Sequence, residues 1–158
     1  MNKRAGMLDW FYIIILMFLI GLVSLVSYKI LKVTDDSEVF ADTATAQSNL
    51  DKAKSTLLNM DNLMLFIIVG LSLFVIIGAA IVYHHPAFFI VGIVLLFIAI
   101  MFAAITSNTF WTFTNSGKMS DIAALYPKMT FLMNKLPLYI AFMGIAVAIV
   151  MYVAYTKD

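Results

Sequence analysis

The chain contains no cysteine, only two histidines and three prolines, and only 12% of its 158 residues are charged. Without cysteine there are no disulfides, no thiolate metal sites and no cysteine nucleophile. Ten Lys or Arg stand against nine Asp or Glu, a net charge of +1, so there is no long-range field suited to nucleic acid, which is not expected among the partners. Catalytic signatures are missing as well: there is no GxSxG, HExxH, P-loop or Gly-rich dinucleotide turn. The chain is therefore not expected to be an enzyme, and no cofactor, catalytic residue or metal site is assigned.

What the chain does have is apolar sequence. Its hydrophobic share is 63%, against roughly 45–50% in an average soluble domain. A chain this short buries only about two-thirds of its unfolded surface, so a water-soluble fold would expose large apolar patches. Lipid removes that conflict. A spanning helix needs about 20 mostly apolar residues at 1.5 Å each, and four stretches qualify, at about 10–28, 63–83, 87–106 and 136–156. None carries Asp, Glu, Lys, Arg or His between its boundaries, which argues against ion pumps, proton relays and coupled transporters.

The expected fold is an all-α integral membrane protein of four transmembrane helices forming a single membrane domain over residues 1–158. Only His84, His85 and Pro86 separate the second and third spans, so these two are expected as a tight antiparallel hairpin of neighbours, with Pro86 near the first turn of the third. Pro137 sits similarly at the start of the fourth, with Asn134 as its expected cap. Two polar segments remain, 33–62 and 107–135. With four spans both fall on one side of the membrane, and the termini and the His84-His85 turn on the other. The first holds Leu50, Ala53, Leu57 and Leu58 at helical spacing among charges, an amphipathic helix open to continuation into the second span. In the second, Thr109-Phe110-Trp111-Thr112-Phe113 reads as an interfacial aromatic belt and Asn115-Ser116-Gly117 as a turn. Ser120 is placed to cap a short helix that Pro127 ends, and Met129 to Met133 is expected on or in the headgroup region. Lys29, Lys32, Lys52, Lys54, Lys118, Lys128 and Lys135 lie on the side of the polar segments, against Lys3, Arg4 and Lys157 opposite. A positive-inside count thus puts the polar segments in the cytoplasm.

Few residues stand out as sites. His84-His85 is read as an interfacial turn, because adjacent residues in a turn point different ways and no carboxylate or thiolate nearby completes a ligand set. Asp35, Asp36, Glu38 and Asp42 are read as a solvated acidic loop, lacking the spacing and glycine of a calcium loop. The small residues are more informative. Gly21 and Ser24 in the first span, Gly70 and Gly78 in the second, Gly92 and Ala99 in the third, and Ala141, Gly144 and Ala148 in the fourth are the candidate helix contacts. Small residues let backbones approach closely, which is the source of packing energy where lipid and side chain are equally apolar.

Lys3-Arg4-Ala5-Gly6 ahead of an apolar run looks like the basic opening of a signal or prepilin-type leader, but the run is 19 residues long and three more spans follow, so it is read as an uncleaved first span. With Asn134-Lys135-Leu136-Pro137 opening the last span and polar segments between, the layout resembles the small multi-span membrane proteins of archaea and of membrane-containing viruses and other mobile elements. The leading expectation is a structural or assembly protein, a virion-membrane component or a small accessory subunit of a larger membrane complex, in contact with the lipid bilayer and with itself or other membrane proteins. The alternative is a holin-like or channel-forming protein in which several copies line a pore.

Overall fold

A computed structural model describes residues 5–37, 43–82 and 86–156. Every regular element among them is helical: α1 (Ala5–Asp36), α2 (Ala44–Val82), α3 (Pro86–Thr114), α4 (Ser120–Ala123), α5 (Pro127–Asn134) and α6 (Leu136–Tyr155). Four of these, α1, α2, α3 and α6, are long and apolar enough to cross a membrane, so the chain is an all-α, multi-pass membrane protein. Its outward surface agrees with that solvent: Phe66, Phe74 and Phe142 are 78%, 72% and 70% exposed. His84 and His85, with the turn expected there, lie outside the described residues.

The helices pack along seams with spacings of three and four. On α2 the inward residues are Leu50, Lys54, Leu57, Asp61, Met64, Ile68, Leu71 and Val75, all buried or half-buried. On α1 they are Ile14, Met17, Gly21, Ser24, Tyr28, Leu31 and Asp35, and on α3 Gly92, Leu96, Ala99, Ala103, Thr106, Phe110 and Phe113. A repeat of 3.5 residues keeps one stripe turned to a neighbour along a gently supercoiled pair, as in left-handed bundles. At 1.5 Å per residue α6 is about 30 Å long, one hydrocarbon thickness, whereas α2 is about 58 Å. The amphipathic segment with Leu50, Ala53, Leu57 and Leu58 is the first part of α2 itself, so the seam runs unbroken from the membrane into the polar segment. There Lys54 pairs with Asp35 near the end of α1.

The order of packing differs in one respect from the expected arrangement. α2 and α3 do run in opposite directions, as the short connection requires, but each packs chiefly on α1 and α6 rather than on the other. Among the described residues they therefore meet little along their lengths. A connection of three residues constrains the ends of two helices of 39 and 29 residues, not their lengths. Along the length the interlocking of faces decides, and α6 offers a surface to both.

The segment 107–135 is also more deeply built in than expected. α3 continues to Thr114, so the aromatic stretch is helical: Phe110 is fully buried while Trp111 is exposed. The turn at 115–119 forms, with the Met119 amide donating to the Ser116 carbonyl at 2.8 Å. α4 is preceded by Met119, and no side chain caps it, so Ser120 does not act as its cap. Met129 and Met133 are buried among the long helices, because α5 packs on α1, α2, α3 and α6. Only its outer face, with Phe131, is exposed.

Candidate functional site

The small residues expected at helix contacts divide into two groups. Gly144 is buried on α6, and a Cβ there would lie 2.9 Å from Leu96 Cγ of α3; the backbone is close because no side chain intervenes. Gly21 on α1 performs the same service for α5 and α3, since a Cβ would meet Met129 Sδ at 3.3 Å and Phe110 Cε2 at 3.4 Å. Ser24 and Ala99 are buried beside these contacts, and Gly92, Ala141 and Ala148 are half-buried. Gly70 and Gly78 differ: nothing lies within 4 Å of a Cβ built at either. Gly70 is exposed on the outward face of α2, one turn from Phe66 on one side and Phe74 on the other.

The most constrained polar group is a residue that no motif marked. Asp61 projects from α2 and is 6% exposed. Its Oδ1 accepts the Met129 amide at 2.7 Å and its Oδ2 the Lys128 amide at 3.2 Å. These belong to the first turn of α5, whose amides have no partner within the helix. Pro127 occupies the first turn, and the residue preceding α5, Tyr126, supplies no side-chain cap. The cap comes instead from another helix 67 and 68 residues away in sequence. A carboxylate at a helix N-terminus also opposes the positive end of the helix dipole. Beside it, the Lys128 ammonium donates to Asn62 Oδ1.

Comparison with protein-family models, with curated proteins and with solved structures finds no match to this chain.

Around Asp61 the packing is tight. Tyr126 is fully buried, its ring edge-on to Tyr28 of α1 with centroids 6.0 Å apart. Burial, reinforced by Tyr28 and the Asp61 charge, pushes the Tyr126 phenol from 10.0 up to about 12. Among the described residues its hydroxyl has no hydrogen-bond partner, a group costly to leave unpaired. Deeper in the bundle, Ser72 on α2 and Tyr139 on α6 share a hydrogen bond, while Ser72 Oγ donates to the Ile68 carbonyl at 2.6 Å. Ser107 Oγ of α3 donates to the Asn134 carbonyl at 3.2 Å. Asn134 ends α5, and Lys135, without a side-chain cap, precedes α6. Asn134 Oδ1 is buried without a partner, so its expected capping role is not the one it has.

Chemically this end of the bundle positions backbone. Asp61 fixes the start of α5, Met129 then seats on Gly21 against Phe110, and Ser107 holds the end of α5. Together they tie α1, α2 and α3 to one short helix. Asp61 was legible only through register, as a polar member of the α2 seam, with Lys54, at a position where its neighbours are Leu57 and Met64.

Proposed function

We propose that the protein is a non-enzymatic structural or assembly component of a membrane, such as a virion-membrane component or an accessory subunit of a larger membrane complex. The observation that carries this is α2: one helix, about 58 Å long at 1.5 Å per residue, takes its packing seam from the bundle into the polar segment. The bundle below is held by close backbone contact at Gly144 and Gly21 and by the Asp61 cap, all of which resist deformation. A rigid base from which α2 extends, paired with the end of α1 through Lys54 and Asp35, suits a part that presents a surface at a fixed distance from the bilayer. The stalk surface itself is polar, with Gln47, Ser48, Asp51, Lys52 and Ser55 exposed, as befits a contact made in water.

The test uses the full-length protein in its native membrane. Ser48→Cys places the single thiol of the chain on the stalk, and a bifunctional thiol–amine reagent applied before gentle extraction should give one adduct of defined mass in high yield. The adduct is either a second copy or a stoichiometric neighbour. A protein that remains monomeric and uncrosslinked, and that carries ion flux when reconstituted alone into liposomes, would replace this reading with a channel.

A further inference from the structure

The structure gathers lysines from separate segments to the boundary where the apolar spans end. Lys29 Nζ donates to the Lys118 carbonyl at 2.6 Å, which joins the turn at 115–119 to α1 just past Tyr28. Tyr28 in turn packs on Tyr126, and the next residues along, Lys128 and Met129, are held by Asp61, two residues before the apolar run of α2 opens at Leu63. Lys29, Lys118 and Lys128 thus share one level although 99 residues separate the first from the last. Lys32 lies one turn further out on α1, and Lys135, at the far end of α5 from Lys128 and beside Ser107, opens the apolar run of α6 about 10 Å further in at 1.5 Å per residue; both are exposed. The four-carbon stem of such a lysine lies along apolar surface while its ammonium reaches the headgroups.

We infer that these five lysines form a basic collar that binds anionic lipid headgroups in the leaflet on the α4–α5 side of the bundle. This goes beyond the assembly role and does not depend on it. Among the described residues the ion pairs belong to Lys54 alone, with Asp35 and Asp51, so no described carboxylate neutralises a collar ammonium group. Of the acids at this level, Asp61 is engaged by the α5 amides and only Asp121 is exposed. Beyond the collar the sign reverses: Asp35, Asp36 and Asp51 outweigh Lys52 and Lys54 on the described part of the stalk. Asp51 is ten residues from Asp61 on α2, about 15 Å at 1.5 Å per residue, which exceeds the Debye length of about 8 Å at physiological salt. On α1, Asp35 and Asp36 stand within that range of Lys32 alone, the outermost of the five, so an anionic leaflet meets the other four without feeling the stalk. An acidic protein arriving from the water would meet the acidic stalk first, which is why the membrane surface is the fitting partner.

The experiment reconstitutes the full-length protein in phosphatidylcholine vesicles with a trace of spin-labelled phosphatidylglycerol or spin-labelled phosphatidylcholine, and reads the motionally restricted fraction of each by electron paramagnetic resonance. The expected result is a several-fold preference for phosphatidylglycerol, each lysine near an anionic surface contributing at most about fivefold. It should fall toward unity in about 1 M NaCl, where the Debye length is about 3 Å. K29Q/K118Q/K128Q should lose most of it. Because Lys29 and Lys128 also make hydrogen bonds within the protein, K32Q/K135Q is the decisive variant, removing two charges and none of those bonds; it should lower the preference at least twofold with an unchanged helical circular dichroism spectrum. K52Q, on the stalk, should leave it as it was. Equal restriction of the two lipids by the wild type, an unaltered preference in folded K32Q/K135Q, or an equal loss in K52Q would each overturn the collar.

Discussion

Replacing Asp61 by alanine isolates the contribution of a helix cap supplied from a distant part of the chain. The substitution removes both acceptors from the first turn of α5 and leaves the amides of Lys128 and Met129 without them. A hydrogen bond to a charged group is worth about 1.5–3 kcal/mol, and loss of an ordinary N-cap costs about 0.5–2 kcal/mol. The Met129 bond at 2.7 Å is the stronger and the Lys128 bond at 3.2 Å the weaker of the pair. Their sum, overlapping with the helix-dipole contribution, comes to about 2–4 kcal/mol. The loss should be local before it is global, since α5 has only eight residues and is too short to persist by itself. Unfolding by dodecyl sulfate in mixed micelles measures the total, and amide exchange at Met129 measures the opening of α5. Asp61→Asn, which retains one acceptor and loses the charge, should fall about halfway. Asp121→Ala is the control, an exposed acid whose replacement should stay within about 0.5 kcal/mol of the wild type. If Asp61→Ala is no more destabilised than Asp121→Ala, or if the Met129 amide exchanges no faster, the cap does not hold α5 and the account of this end of the bundle fails.

Gly144→Leu should destabilise the bundle by about 1–3 kcal/mol or more, because Leu96 of α3 already occupies the space, and Leu96→Ala should recover part of the loss in a double-mutant cycle. Gly70→Ala and Gly78→Ala, with nothing to collide with inside the chain, should leave monomer stability equal or raised by up to about 1 kcal/mol; if they lower the yield of native crosslinked adduct, those positions meet a partner helix. Tyr126→Phe should be neutral or stabilising by about 1 kcal/mol, since it deletes a buried hydroxyl that lacks a partner. Because the folded phenol titrates at about 12 rather than 10.0, the native state holds its proton more tightly than the unfolded one, so this contribution is complete below pH 10.0 and is lost as the pH rises toward 12. The pH dependence of the unfolding midpoint over that interval should flatten in Tyr126→Phe.

Much of the fold could be read directly from residues. Unbroken apolar runs of hydrocarbon length leave a chain one solvent, and within lipid every backbone amide must be satisfied inside its own segment, so the runs become helices. Gly144 was likewise legible, since a glycine in an apolar helix has little reason to be there except close approach. Register decided what composition could not. The seam on α2 passes through Lys54 and Asp61, which by residue type read only as charges of a polar segment, and only the placement of α5 shows why Asp61 is buried. Asn134 and Ser120 have the chemistry of caps, but a cap also needs its oxygen aimed at free amides, and the packing of α5 turned Asn134 elsewhere. The position of Met129 and Met133 depended on a cleft formed by four helices that no local stretch encodes. Which helices became neighbours was settled the same way, because a three-residue link between α2 and α3 fixes only their ends, while close packing along 30 Å or so of bilayer is a matter of which surfaces interlock. Local sequence determined the solvent and the helices; the joint fit of distant side chains determined how they are held together.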